Sequence, residues 1–153
     1  MSVSFDPAVF EAEVTLGLLT TDRLPSVAQD VLEAGWDGPG ILRMAILDPH
    51  SSQEIVQTIP RVMAELGLRL LSPKEAGMRL AKRRAQAILD SGENPFRHLP
   101  YFYRLVCLAE WPDELVRLGL MEDRFIDPDN QDERQLAVDA LQQLLDSHSN
   151  EAL

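Results

Sequence analysis

The stretch SPKEAGMRLAKRRAQAILDSG, residues 72–92, decides the fold. Ser72 suits an N-cap, Pro73 suits the first helical position, and Glu75 stands where a capping box needs an acid, three residues after the cap. Gly92 tolerates the positive φ that closes a helix. Between these signals lie about five turns at 3.6 residues each. Leu80, Ala81, Ala85 and Ile88 fall on one side of that helix, and Arg79, Lys82, Arg83 and Gln86 on the other. The small Ala81 and Ala85 let a second helix approach closely, from the same chain or across a homodimer.

Outward from this helix the charge changes sign. Residues 69–104 carry eight Lys and Arg against three acids, a net +5. Residues 1–68 carry three Arg against ten acids, and residues 110–153 three Arg against twelve, giving −7 and −9 in a chain of net −11. Either the basic helix is solvated or neutralised by its acidic neighbours, or one of these faces meets a partner of opposite sign.

On the N-terminal side, Asp6-Pro7 opens a helix expected to reach about Leu19, and Leu24 to Ala34 reads as a second, with Asp22 as its cap. GWDGPG, residues 35–40, is rich in turn signals. Its glycine spacing is not that of a dinucleotide fold, the Lys-Ser/Thr of a P-loop is absent, and Pro39 removes an amide. It reads as a tight connection into a short, largely buried helix from Pro39 to Leu47. The helix–glycine turn–helix order resembles a DNA-binding unit, but the second helix offers only Arg43 to a phosphate backbone. Ser51 and Glu54 form a second capping box for a helix to Leu66, with Ile55, Val56, Ile59, Val62 and Met63 in its stripe and Pro60 kinking or splitting it. LRLL, residues 68–71, is a linker or short strand.

On the C-terminal side, Asn94-Pro95 starts a segment with five of the nine aromatics, expected to be core or a docking point. Helices are expected from Pro100 to Glu110 and from Pro112 to Leu118, the latter ended by Gly119. Residues 127–132 mimic the start of a calcium loop, but Asp132 replaces the sixth-position glycine and Val138 the twelfth-position glutamate. Asn130 and Glu133 cap a last helix over 131–147 with Leu136, Ala140, Leu141, Leu144 and Leu145 inward.

The composition excludes several classes. At 153 residues and 45% hydrophobic content the chain can build a core. It shows no signal peptide and no apolar run of the roughly 20 residues that would span a bilayer. Cys107, the single cysteine, sits in LVCLA and reads as a small buried hydrophobe, which fits a cytoplasmic location. His50, His98 and His148 are isolated in loops or the tail, without metal-ligand spacing. Acid pairs such as Asp113/Glu114 and Glu122/Asp123 are adjacent on helices and so do not face one another. No catalytic residue, metal or cofactor is expected.

LPSVAQDVLEAGWDGPGILRMAIL, the helix that runs to ELGL, the later EAGMRLAKRRAQAIL, an N-P turn and an acidic Trp-containing C-terminal region together resemble small bacterial helical proteins with no assigned function. The resemblance spans residues 24–145. This chain has Gly38 where that pattern has Ser. It implies a compact bacterial helical domain and carries no site residues.

The expected fold is therefore a single all-α domain of six to eight helices over 1–153, with one short hairpin as the alternative and a frayed tail at 147–153. The leading functional reading is a non-enzymatic cytoplasmic protein that binds another protein through a charged helical surface, as an immunity or antitoxin protein does, with no membrane association. The rival is a small-molecule site under Trp36, Arg43, Tyr101, Tyr103 and Trp111, where Arg43 and Arg104 hold an anion. Nucleic-acid binding through Arg79, Lys82, Arg83 and Arg84 ranks last because of the overall acidity.

Overall fold

Residues 72–92 form the helix their caps predict. In the computed structural model, which describes residues 5–121 and 129–147, α5 runs Pro73–Ser91. The Ser72 hydroxyl accepts from the Glu75 amide at 3.1 Å, and Gly92 closes the helix at φ 71°. Glu122, Asp123, Asp127, Pro128, His148 and the rest of the tail lie outside the described residues, and with them the first two positions of the calcium-like reading.

Seven further α-helices are described: α1 Pro7–Leu16, α2 Leu24–Glu33, α3 Pro39–Ile46, α4 Ser52–Glu65, α6 Leu99–Leu108, α7 Asp113–Leu120 and α8 Gln131–Asp146, with 3-10 turns at Thr21–Arg23 and Pro95–His98. Among the described residues the fold is all-α, with eight α-helices, within the expected six to eight, and no strand. The chain divides into two compact units, Met1–Leu71 and Ser72–Leu153.

In the first unit, Asp6 accepts from the Ala8 and Val9 amides, and α1 stops at Gly17, φ 69°, short of Leu19. Asp22 does not cap α2; it lies inside the preceding 3-10 turn. Phe10, Leu24, Ala28, Val31, Ile41, Met44, Ile55, Val62 and Met63 form one buried cluster. Ser51 makes no side-chain cap to α4, and the Glu54 carboxylate that would complete a capping box turns to Arg43 at 3.0 Å. Pro60 neither ends nor splits α4. Pro60 and Val56 are both exposed, so the Val56 carbonyl that loses its amide donor can be hydrated. Residues 68–71 are an extended strap, not a strand. The Arg69 amide donates to Glu11 Oε2 and the Leu71 amide to Thr15 Oγ1, both at 3.0 Å, so alternate amides meet two side chains one turn apart on α1. The Arg69 bond gives the buried Glu11 carboxylate a donor.

In the second unit, α6 is packed between α5 and α7. Phe102, Leu105 and Val106 are fully buried. Gly119 does not end α7 but lies within it, where a Cβ would stand 2.5 Å from Val106 Cγ2. Gly77 on α5 meets Ala109, which a Cβ would overlap. Both glycines buy the helices a closer approach than any side chain would permit. Cys107 is exposed, which overturns the buried reading. Although LVCLA is apolar throughout, Leu99, Phe102, Leu105, Val106 and Ala109 take the inner side, and Cys107 falls on the outer one. Asn130 caps α8 through the Asp132 and Glu133 amides. Ala137, Ala140, Leu141 and Leu144 face inward, whereas Leu136 is exposed.

Candidate functional site: the outer face of the third helix

Helix α3 begins Gly-Pro-Gly, so no side chain at its own N-terminus can accept a hydrogen bond. The acceptor comes from the far end of α4. The Gly40 amide donates to Oε2 of Glu65 at 2.7 Å, and the Ile41 amide to Oε1 at 2.9 Å. Glu65 is badly placed in its own helix, since an acid in the last turn faces the negative end of the dipole, but well placed on the positive end of α3. A Cβ at Gly38 would overlap this carboxylate, and one at Gly40 would lie 2.7 Å from Arg61 Cγ and 2.9 Å from Glu65 Oε2. The two glycines leave room for an anion, as the turn-rich segment suggests, and the anion is the chain's own.

Arg43, one turn further along α3, pairs with Glu54 near the start of α4. The two contacts run from the start and the middle of α3 to the end and the start of α4, so the two helices lie antiparallel. Gln29 Nε2 adds a bond from α2 to the Ala45 carbonyl at 3.1 Å. An open groove of about 430 Å³ remains between α3 and α4, lined by Pro39, Arg43, Glu54, Gln57, Thr58 and Arg61. By contrast, the gap inside this unit's core is only about 10 Å³, on the scale of one water.

Helix α3 was expected to be largely buried, and only half of it is. Gly40, Ile41, Met44 and Ala45 face the core. Leu42 is 49% exposed and Ile46 76% exposed, one turn apart beside Arg43. An eight-residue helix that touches α2 and α4 has one side left over, and Leu42 and Ile46 occupy it. Trp36, just before α3, is also exposed.

The other expected site residues lie in the second unit. Lys82 Nζ donates to the Ser147 carbonyl at 2.9 Å, capping the negative end of α8. Lys74 pairs with Glu114 at 3.4 Å. The Glu114 carboxyl is held below the usual glutamate range, first by a hydrogen bond from its own backbone amide; partial burial opposes this and Lys74 reinforces it. Arg84, with its guanidinium 3.9 Å from the Tyr101 ring centroid, also reaches His98 Nδ1 at 3.2 Å, and His98 Nε2 reaches Glu93 at 2.9 Å. Arginine can only donate, so Nδ1 is the acceptor and the ring proton is on Nε2, donated to Glu93. Both ring nitrogens are thus engaged within the chain.

Arg79 and Tyr103 are half-buried, and Arg83 and Arg104 are exposed. Trp111 is 52% exposed, and it and Glu110 both have positive φ, 58° and 62°. The Trp111 amide returns to the Val106 carbonyl at 2.9 Å, the long bond of a Schellman closure in which Glu110 takes the place usual for glycine.

Sequence reasoning missed Glu65, Arg61 and the spacing role of Gly38 and Gly40. A helix start without a capping side chain signals a missing acceptor, but not which residue supplies it. Among the described residues no helix is long and apolar enough to cross a membrane, and no three His, Cys, Asp or Glu side chains are grouped to hold a metal. No protein-family model, curated protein or solved structure matches the chain.

Proposed function

We propose that this chain is a non-enzymatic helical protein that binds another protein, and that the outer face of α3, with the groove beside it, is the contact surface. The observation that carries this reading is the exposure of Leu42 and Ile46 on a short helix held at its first amides by Glu65 and near its last turn by Gln29. Exposed apolar residues scattered singly mean little, but two adjoining ones on a pre-positioned face reduce the ordering cost that docking imposes. The polar, open character of the α3–α4 groove fits the rim of a protein interface better than a small-molecule pocket, which is typically enclosed and mostly apolar.

The proposal takes the cytoplasm as compartment, since a single exposed thiol suits a reducing environment. It also keeps the likeness of residues 24–145 to small bacterial helical proteins. The test is retention from native lysate by tagged protein and by a Leu42→Asp/Ile46→Asp variant with unchanged far-ultraviolet circular dichroism. A protein held in stoichiometric amount by the first and lost by the second is expected. Equal recovery by both, or recovery by neither, refutes the reading.

A further inference from the structure

We infer that the segment docking on the outer face of α3 is a basic, apolar amphipathic helix of the partner protein. This rests on the protein-binding reading above and specifies the chemistry of the same surface. Three observations converge.

First, the apolar element has the right dimensions for a helix. Leu42 and Ile46 are one turn apart, so they form a ridge that fits between i and i+3 or i+4 apolar side chains of a facing helix.

Second, the cations on this surface are already committed within the chain. Arg43 is bonded to Glu54 at 3.0 Å, and Arg61 lies 3.7 Å from the Glu65 carboxylate. An acidic segment would have to compete with these carboxylates for each arginine.

Third, the acids that flank the ridge are available. Asp37, two residues before α3, and Asp48, two residues beyond Ile46, are exposed, and neither has an ion-pair partner among the described residues. The Asp48 carboxylate accepts the His50 backbone amide and no charged group among the described residues. The field of the whole unit has the same sign, with four arginines against ten acids over residues 1–71, a net −6. Such a field steers a cationic helix toward the ridge and repels an anionic one.

A second copy of this chain is a poor occupant. Its basic helix α5 buries Leu80, Ala81, Ala85 and Ile88 inside its own unit and has no apolar side to offer.

The experiment follows backbone amide shifts of isotope-labelled full-length protein during titration with two designed peptides of identical length and Leu placement. One carries Lys and Arg at its polar positions, and the other carries Glu. The basic peptide is expected to move the Leu42, Arg43 and Ile46 amides. Its affinity should weaken as salt rises through the physiological range, and fall by about 2-fold to 10-fold in Asp37→Asn/Asp48→Asn. Leu42→Asp/Ile46→Asp should abolish these shifts. Binding of the Glu peptide to the same amides with equal or greater affinity overturns the inference and leaves the protein-binding reading standing. Shifts of these amides with protein concentration alone assign the face to self-association and overturn the inference too. Failure of both peptides to move α3 overturns both statements.

Discussion

The carboxylate of Glu65 is a single point on which the geometry of the candidate site turns, and Glu65→Ala tests it. Two amides, Gly40 and Ile41, both in buried residues, lose an ionised acceptor. Hydrogen bonds to charged groups contribute about 1.5–3 kcal/mol each. Against their sum stands relief of an acid at the C-terminal end of α4, about 0.3–1 kcal/mol, and partial rehydration of the freed amides. Arg61, with its side chain 63% exposed, adds little. The expected net loss is about 2–4 kcal/mol. For a unit of this length each kcal/mol lowers Tm by about 4–8 °C, so a fall on the order of 10–25 °C should be seen.

Trp36 is the only tryptophan of the first unit, so its fluorescence in a Trp111→Phe background reports on that unit. Gly38→Ala supplies the control. Its new methyl overlaps the Glu65 carboxylate, so it should destabilise the parent protein and do so much less when combined with Glu65→Ala. A loss below about 1 kcal/mol for Glu65→Ala, or an unchanged cost of Gly38→Ala in its presence, would refute the carboxylate anchor.

Three further outcomes follow from the packing and the charges. Gly77→Ala and Gly119→Ala should each gain close to 1 kcal/mol in helix propensity yet end destabilising, because the new Cβ meets Ala109 or lies 2.5 Å from Val106 Cγ2; urea unfolding monitored at Trp111 gives the sign. Glu114 has a lowered folded pKa, so its stabilisation is present above the ordinary glutamate range and is lost as pH falls below that range through the folded value. Glu114→Gln should therefore flatten this part of the acid limb of a Tm-against-pH curve. Cys107 should react with an aromatic disulfide reagent in the folded protein, one equivalent per chain, at a rate that denaturant changes little.

Much of the fold was legible because local rules and packing agree. Asp6, Ser72, Asn94 and Asn130 all cap where their positions suggest, and Gly92 closes α5 as expected. Misreadings arose where two local signals compete. Ser51 with Glu54 has the spacing of a capping box, but Arg43, eleven residues from Glu54, takes the acid. Gly119 looks like a stop signal, and it is retained inside a helix because Val106 leaves no room for a methyl. The uniformly apolar runs were the least readable. LVCLA holds no polar residue to mark its outer side, and in ILRMAIL the one marker, Arg43, carries too little weight against six apolar neighbours, so Cys107, Leu42 and Ile46 read as inward and all lie outward.

The same limit governs the site. The glycine-rich segment at 35–40 was read against phosphate-binding loops because the physical demand is shared: helix amides that need an anion, and no side chain in the way. The local sequence states that demand. Its satisfaction depends on a residue 25 positions after Gly40, reached only once α3 and α4 lie antiparallel. A binding face defined by what α2 and α4 leave uncovered is subject to a still weaker local code, since it is specified by the absence of neighbours. For Leu42 and Ile46 that absence is a property of the assembled unit, and a reading confined to residues 39–47 contains no term for it.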